Sequence, residues 1–208
     1  GDDLGQAVRL LTALGWYSLA VIIGLLLHFF LVYGTLFRLF SNVRFSEFIR
    51  AMQPAFLLGF STSSSMATLP VTMERAENNL GVHEEVASFV MPVGATVNMD
   101  GTTLYQAVAA VFIAQALGLD LTLAQQATIV LTATLASIGA AGVPGAGIIM
   151  LVIVLQSVQV PVEGIALILG VDRILDMMRT ALNIAGDSAV AVVVASTEGK
   201  LGEVNLDD

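Results

Sequence analysis

The sequence predicts an all-α integral membrane protein, and three observations lead to that prediction. The 208 residues are 56% hydrophobic and only 12% charged, whereas soluble domains carry about twice that share of charge. The stretches Leu10–Phe37 and Leu121–Val162 contain no Asp, Glu, Lys or Arg. Each stretch exceeds the roughly 20 apolar residues that cross a bilayer. Cysteine is absent, which excludes disulfides and thiolate metal sites.

Five membrane segments are predicted along the chain. The first is an uncharged helix followed by a basic loop that contains Arg38, Arg44 and Arg50. The second is too polar at its centre to span, and the third and fourth are interrupted by Asn98–Thr102 and Gly139–Gly147. The segments cover approximately residues 8–40, 45–79, 84–119, 121–160 and 162–196.

The positions of the arginines predict how these segments cross the membrane. Basic loops favour the cytoplasm, so the loop after the first segment and Arg75 after the second should both lie inside. The second segment then enters and returns from the inside, and the third crosses outwards. The fourth enters and returns from the outside, and the fifth crosses back. The result is two inverted repeats, each a re-entrant helical hairpin followed by a crossing helix, which is how many secondary transporters build their site.

The tips of both predicted hairpins suit a ligand. The first tip lies in Ser61–Pro70, where hydroxyls and the free N–H groups of a helix start favour a carboxylate; a polar surface loop is the alternative. The second lies in Gly139–Gly147, where glycines allow close approach to a ligand, or a hinge. The flanks of this second tip are marginally short for full spans, which favours a re-entrant lid over an ordinary loop.

The third segment contains a candidate sodium site. Asp100 is the only charged residue between Glu85 and Asp120, and it precedes Gly101. A buried carboxylate is neutralised by a proton or a cation, and the amide, hydroxyl and carbonyl oxygens nearby suit Na⁺ better than a transition metal. The alternative is a solvated loop between two helices, each too short to span. His28 could relay protons, but it is expected to pack between helices or against a neighbouring subunit.

The fifth segment has a polar face inside an apolar helix, which is the strongest functional signal in the chain. Its members are spaced three, one, three and four residues apart and share one helical face: Asp176, Arg179, Thr180, Asn183 and Asp187. Ionisable groups at membrane depth usually line a ligand or ion pathway. The Arg179 guanidinium can hold a carboxylate bidentately, and Asp176 can either pair with Arg179 or bind an ammonium, so the face could hold an acidic amino acid. The alternative is an internal salt bridge, for which Asp172 and Arg173 form a plausible pair.

Four motifs in this order carry a family resemblance: SSSMATLP (Ser63–Pro70), GATVNMDGT (Gly94–Thr102), AAGVPGAG (Ala140–Gly147) and DMMRTALNIAGD (Asp176–Asp187). With them the chain resembles the sodium:dicarboxylate symporters, or glutamate transporter homologues, over nearly its whole length. The resemblance implies a homotrimeric elevator transporter of the plasma membrane, in which a transport domain moves beside a static scaffold. It implies Na⁺-coupled symport of L-aspartate or L-glutamate. A transporter of neutral amino acids or C4-dicarboxylates is the alternative, and no enzyme activity is expected because no nucleophile–base pair is apparent.

The resemblance also implies the residues of the site. Hydroxyls, Arg179 and Asn183 would hold the substrate carboxylates, and Asp176 would hold the amino group. The expected substrate contacts are Ser64, Ser65, Thr102, Val143, Gly147, Asp176, Arg179, Thr180 and Asn183. One sodium site would use Gly94, Asn98, Asn183 and Asp187, a second Thr96, Met99, Ser137, Ile138 and Ala140, and a third Asn98 and Asp100.

Three departures from the family pattern modify these expectations. Members are considerably longer, so the chain is expected to be a C-terminal part that lacks the scaffold half. Ser63 and Met177 stand where many members carry a further arginine, so substrate affinity is expected to differ. Gln106 stands where proton-coupled members carry a glutamate. We therefore expect sodium coupling without a proton carried at residue 106.

The predicted organisation has four parts. They are a first transmembrane helix with its basic loop (1–44), a first hairpin with a broken helix (45–119), a second hairpin with the polar helix (120–197), and an acidic tail (198–208). The expected partners are the acidic amino acid, the lipid bilayer, the missing scaffold half and further copies in a trimer, but not nucleic acid. The sequence does not choose between aspartate and glutamate, because their one-methylene difference is worth only about 1–3 kcal/mol in a pocket.

Overall fold

The computed structural model of the chain describes residues 3–206, nearly all of which are helical. The prediction of an all-α protein is confirmed over this range, where the β pairing is limited to an isolated bridge between Val82 and Leu201. The α-helices are α1 (Asp3–Leu27), α2 (Gly34–Phe40), α3 (Phe45–Thr62), α4 (Ser65–Asn78), α5 (Glu84–Val97), α6 (Asp100–Ala116), α7 (Leu123–Ile138), α8 (Ala146–Ser157) and α9 (Leu169–Thr197). Residues 1–2 and 207–208, at the outer ends of the predicted first part and acidic tail, lie outside the described residues.

The first predicted segment is one long helix with an irregular middle. A π-helical turn, His28–Tyr33, joins α1 to α2. Because π-helical hydrogen bonds close at i→i+5, residues 28 and 33 point to nearly the same side. By length and composition, the helices Gly5–Phe40 and Leu169–Thr197 are each long and apolar enough to cross a membrane.

Two pairs of helices form hairpins with short tips. In the first, Ser63 ends α3 in the left-handed conformation with φ 54°, and the Ser64 hydroxyl accepts from the Ala67 N–H to begin α4. Such a side-chain cap satisfies one of the free N–H groups of a helix start. In the second, α7 ends before a run of small residues, and Gly145 at φ 78° precedes α8. Glycine takes that conformation without steric cost.

Helix α9 lies at the centre of the molecule. It packs against α3, α5 and α6, and also against α1 and α4. Helices α5 and α6 are separated by two non-helical residues, Asn98 and Met99, beside the middle of α9. The interrupted backbone and both hairpin tips therefore meet the polar face of α9, which is buried throughout.

Aromatic ring contacts pack the first helix against this core. Tyr17 of α1 stacks on Phe112 of α6 with ring centroids 4.8 Å apart. Phe37 lies 4.6 Å from Phe48, which connects α2 to α3. Beyond α9, residues 198–206 form a strap that crosses the loop between α4 and α5, where the His83 N–H donates to the Lys200 carbonyl at 3.1 Å.

Candidate functional site

The two hairpin tips touch each other directly. The Ser64 hydroxyl donates to the Gly142 carbonyl at 2.8 Å, and the Met66 N–H donates to the same oxygen at 3.2 Å. Ser65 is also buried and lines the space behind this contact. The first tip thus contacts the backbone of the second hairpin. Because the acceptor is a main-chain carbonyl, no side chain in Gly139–Gly147 indicates this contact.

Arg179 is the most deeply buried charged residue at the site, with 1% of its surface exposed. Its Nη2 donates to Asp176 Oδ1 at 2.7 Å, and its Nη1 lies 3.4 Å from Asp172 Oδ1. The guanidinium carbon sits 3.6 Å from the centroid of the Tyr105 ring, a cation–π arrangement. Among the described residues, Arg179 Nε and Nη1 have no hydrogen-bond partner.

The pairing of Asp172 corrects one expectation. The alternative interpretation of the polar face paired Asp172 with Arg173, but Arg173 is exposed and the partner is Arg179. Residues seven apart share a helical face after two turns, whereas the following residue points about 100° away. The spacing Asp172, Asp176, Arg179 carried this signal in the sequence.

The second hairpin tip rests on the same polar face. The Gly145 N–H donates to Asp176 Oδ2 at 3.0 Å, and Gln106 Nε2 donates to the Gly147 carbonyl at 3.0 Å. A Cβ added to Gly147 would lie 3.1 Å from Thr102 Cγ2 and 3.5 Å from Arg179 Cζ. Gly147 therefore lies against Thr102 and Arg179, two of the predicted substrate contacts. Asp176 hydrogen-bonds both to the tip and to Arg179.

A small cavity lies between the tips and the polar face. Its volume is about 20 Å³, roughly enough for a single water. It is lined by Ser63, Ser65, Met99, Thr102, Ala140, Ala141, Gly142, Val143, Ala146, Gly147, Asp176, Thr180 and Asn183. The structure thus gathers most of the predicted substrate residues around one small space, whose lining does not include Ser64 or Arg179. Val143 also faces outwards, with 48% of its surface exposed.

The break between α5 and α6 brings the first predicted sodium set together. Asn98 Nδ2 donates to Asp187 Oδ1 at 3.0 Å, and a Cβ on Gly94 would lie 2.6 Å from that oxygen. Asn183 connects this set to the cavity, because its Oδ1 accepts from the Gly101 N–H at 2.8 Å. Its Nδ2 donates to Thr102 Oγ1 at 3.2 Å and to Met99 Sδ at 3.3 Å.

Asp100 of the third predicted sodium set has partners that the sequence did not suggest. His28 Nε2 lies 3.1 Å from Asp100 Oδ2, and the Tyr33 hydroxyl donates to the same oxygen at 2.9 Å. The expectation that His28 simply packs between helices is therefore incomplete. A spacing of five indicates a shared side only when the helix is π-helical, which the sequence did not predict.

The second predicted sodium set is brought together only in part. Ser137 and Ala140 are buried, and the Ser137 hydroxyl pairs with that of Thr103. Thr96 and Ile138 are exposed, and the Thr96 hydroxyl donates to the Val93 carbonyl at 3.0 Å. No group of three His, Cys, Asp or Glu residues suitable for a metal occurs within residues 3–206. A cation here would be held mainly by amide, hydroxyl and carbonyl oxygens, which suits a hard ion.

Comparison with known proteins gives the family. The model of the sodium:dicarboxylate symporter family matches residues 4–197. The chain belongs to the sodium:dicarboxylate symporter family. The family and the relatives of this chain are transporters, which places it among membrane proteins.

Several relatives of the chain are excitatory amino acid transporters. It is 50% identical over 181 residues to excitatory amino acid transporter 4 of Mus musculus, covering 87% of the chain and 32% of the relative. It is 49% identical over 181 residues to excitatory amino acid transporter 1 of Homo sapiens, covering 87% and 33%. An excitatory amino acid transporter of Caenorhabditis elegans is 45% identical over 192 residues, covering 92% and 38%. The chain thus spans about a third of the length of these relatives.

Proposed function

We propose that this chain forms the substrate- and ion-binding part of a Na⁺-coupled symporter for an acidic amino acid, L-aspartate or L-glutamate. The observation that carries the proposal is the buried Arg179 guanidinium, whose Nε and Nη1 have no hydrogen-bond partner among the described residues. Leaving a buried charged donor without a hydrogen bond is costly, and a substrate carboxylate would supply the missing acceptor. The names of the relatives, which concern excitatory amino acids, support the same substrate class.

The substrate would lie between the hairpin tips with its two kinds of charge separated. Arg179 and Thr102 would hold the side-chain carboxylate, while Asp176 and Thr180 would hold the amino group. The main-chain carboxylate would contact Asn183 together with Ser64 and Ser65 of the first tip, and Val143 and Gly147 of the second tip would cover it. The presence of Thr102, Asp176, Thr180 and Asn183 in the cavity lining supports this assignment, as do the complementary charges of Asp176 and Arg179.

Binding would require the second tip to move. A cavity of about 20 Å³ holds a water but not an amino acid. The bond from the Gly145 N–H to Asp176 closes this space, so a substrate ammonium would compete with that N–H for the same carboxylate. We infer that the second hairpin acts as the lid and that Asp176 serves the lid and the substrate in turn.

Sodium would bind as a co-transported ion at the interrupted helix. Gly94, Asn98, Asn183 and Asp187 would form one site, and Asn98 with Asp100 a second. Thr96, Met99, Ser137, Ile138 and Ala140 would form the remaining site, which would be completed as the second tip moves. The buried Asp187 carboxylate supports the first of these, because an unpaired charge at that depth needs a counter-ion. Asn183 would link ion and substrate through its bonds to Gly101 and Thr102.

The membrane arrangement is part of the proposal. We infer that α3–α4 and α7–α8 are re-entrant hairpins of two inverted repeats and that the remainder of a longer protein supplies the scaffold. The four predicted parts, 1–44, 45–119, 120–197 and 198–208, would then move as a transport domain in an elevator mechanism. The complete protein would be a homotrimer in the plasma membrane.

Competition for uptake tests the proposed substrate class. Proteoliposomes containing the protein are given labelled L-aspartate with an inward Na⁺ gradient, and unlabelled L-glutamate, L-serine or succinate is added in excess. Strong inhibition by L-glutamate and weak inhibition by the other two compounds is expected, because only an acidic amino acid satisfies both Arg179 and Asp176. Equal inhibition by L-serine or by succinate would instead favour a neutral amino acid or a C4-dicarboxylate as the substrate.

A further inference from the structure

A second cavity lies at the base of the first hairpin, away from the site described above. Its volume is about 270 Å³, and it lies between the start of α3 and the end of α4. Its lining includes Arg50, Gln53, Pro54, Arg75, Asn79 and Leu206. Two cationic side chains from different helices therefore face one space.

Neither arginine forms a salt bridge with another of residues 3–206. Within the part of the chain that the structure describes, no carboxylate lies within 4 Å of a nitrogen of Arg50 or Arg75. Arg75 is held in place, since its Nη1 donates to Asn79 Oδ1 at 3.1 Å. Asn79 is buried and donates from Nδ2 to the Asn205 carbonyl at 2.9 Å. Two guanidinium groups thus share one cavity without a salt-bridge partner among residues 3–206, and one of them is fixed by a buried amide, an arrangement that suits an anion.

The cavity also offers groups that suit a polyol. Pro54 has no N–H, so the Arg50 carbonyl lacks its usual donor one turn along α3. The Gln53 amide lines the same space and can both donate and accept. An anion that carries hydroxyl groups beside its charge would therefore fit better than a bare ion.

The position of the cavity suggests where such an anion comes from. The cavity lies at the same end of the molecule as the loop between α2 and α3, which contains Arg44. In the proposed topology, on which this step rests, that end is the cytoplasmic face, where anionic phospholipids are concentrated. Basic pockets between membrane helices on that face bind phosphorylated headgroups.

We propose that this cavity binds the phosphate group of an anionic glycerophospholipid. Arg50 and Arg75 contact the phosphate oxygens, and Gln53 and the Arg50 carbonyl contact the headgroup hydroxyls. The volume accommodates a phosphate with its glycerol, and the exposed side of the cavity leaves the acyl chains in the bilayer. The lipid thereby joins the two ends of the first hairpin at its base.

Native mass spectrometry of the protein in detergent tests this inference, with phosphatidylglycerol, phosphatidylcholine and inorganic phosphate as separate probes. The Arg50→Gln/Arg75→Gln double variant is compared with Arg38→Gln/Arg44→Gln, which removes the same charge from exposed arginines outside the cavity lining. We expect phosphatidylglycerol affinity to fall at least about tenfold in the first double variant, since each lost charge-assisted contact costs more than about 1 kcal/mol. In the second double variant it should fall less than about threefold. Phosphatidylcholine should bind weakly throughout.

The outcomes distinguish a lipid phosphate from free inorganic phosphate as the ligand. They also distinguish failure of this site from failure of the proposed transport site. Displacement of phosphatidylglycerol by millimolar inorganic phosphate would support the phosphate site but identify the free ion as its ligand. Equal loss in both double variants, or no loss in either, would overturn the proposal. Na⁺-dependent L-aspartate binding, measured on the same variants, should be unchanged and shows that they are folded. Absence of L-aspartate binding to the unmodified protein, with selective phosphatidylglycerol binding retained, would count against the proposed transport function alone.

Discussion

The Ser64 hydroxyl donates to the Gly142 carbonyl at 2.8 Å and so fastens the tip of one hairpin to the tip of the other. The same hydroxyl accepts from the Ala67 N–H at 3.1 Å and caps α4. A single side chain thus both starts a helix and closes the space above Asp176 and Arg179. Opening of the second hairpin must break this contact, which makes Ser64 a determinant of how readily the site opens.

Replacement of Ser64 by alanine should loosen both tips. The variant loses the bond to Gly142 and the cap on α4, and loss of an N-cap costs about 0.5–2 kcal/mol. We expect faster hydrogen–deuterium exchange at the amides of residues 142–147. Ser61→Ala is the matched control, because the Ser61 hydroxyl is exposed and donates only to the Leu57 carbonyl. Unchanged exchange in Ser64→Ala would show that the contact does not restrain the lid.

Gly94→Ala should weaken the proposed sodium site next to Asp187. The added Cβ would lie 2.6 Å from Asp187 Oδ1, so the carboxylate or the α5 backbone must shift. We expect the Na⁺ concentration for half-maximal L-aspartate binding to rise at least about tenfold, equivalent to about 1.4 kcal/mol.

Gly170→Ala provides the control for that measurement. It adds the same methyl group to helix α9 at a position with nothing within 4 Å. Na⁺ dependence should be that of the unmodified protein. A tenfold change in both variants, or in neither, would contradict a specific role for the space between Gly94 and Asp187.

Replacing Asp172 should recover part of the stability that is lost when Arg179 is removed, but not substrate recognition. Arg179→Ala leaves buried carboxylates without a cation, a change that typically costs about 3–5 kcal/mol. Adding Asp172→Asn removes one of those charges and should recover part of the melting temperature in detergent, without recovering L-aspartate affinity. Arg173→Ala, on the exposed side of the same helix, should change neither property. Recovery of L-aspartate affinity in the Arg179→Ala/Asp172→Asn variant would mean that Arg179 serves only as a structural partner.

The strap of residues 198–206 should loosen in acid. A hydrogen bond from the Lys200 ammonium lowers the pKa of Glu85 below its ordinary value of 4.5, and the same bond raises the pKa of Lys200 above 10.5. The ion pair therefore stabilises the strap at pH values between the lowered pKa of Glu85 and the raised pKa of Lys200. The contribution is lost as pH falls through the lowered Glu85 pKa, and as pH rises through the raised Lys200 pKa. The protection factor of the His83 amide, which compares its exchange rate with the intrinsic rate at the same pH, should fall at acidic pH, and Glu85→Gln should abolish that pH dependence.

The fold could be predicted largely from apolar runs and interruptions in the sequence. Uncharged stretches indicated the long helices, and the serine and glycine runs indicated the tips at Ser63 and Gly145. The polar face of α9 followed from helical spacing alone. These features are local, so the sequence contains all the information that they need.

Contacts made through irregular backbone could not be predicted. The π-helical turn that aims His28 and Tyr33 at Asp100 depends on packing between α1 and α6, and no spacing rule indicates it. The Gly142 carbonyl and the Gly145 N–H act through the main chain, which every residue possesses. Asp172 is different, because its helical register with Arg179 was present in the sequence.

Calorimetric titration of L-aspartate into the purified protein, with Na⁺ and with choline in its place, tests the central claim most directly. We predict saturable binding with Na⁺ and none with choline, because the proposed sodium site shares Asn183 with the proposed substrate site. Arg179→Ala should remove the Na⁺-dependent heat. Binding of equal strength in choline, or Na⁺-dependent binding that survives Arg179→Ala unchanged, would contradict a sodium-coupled site for acidic amino acids.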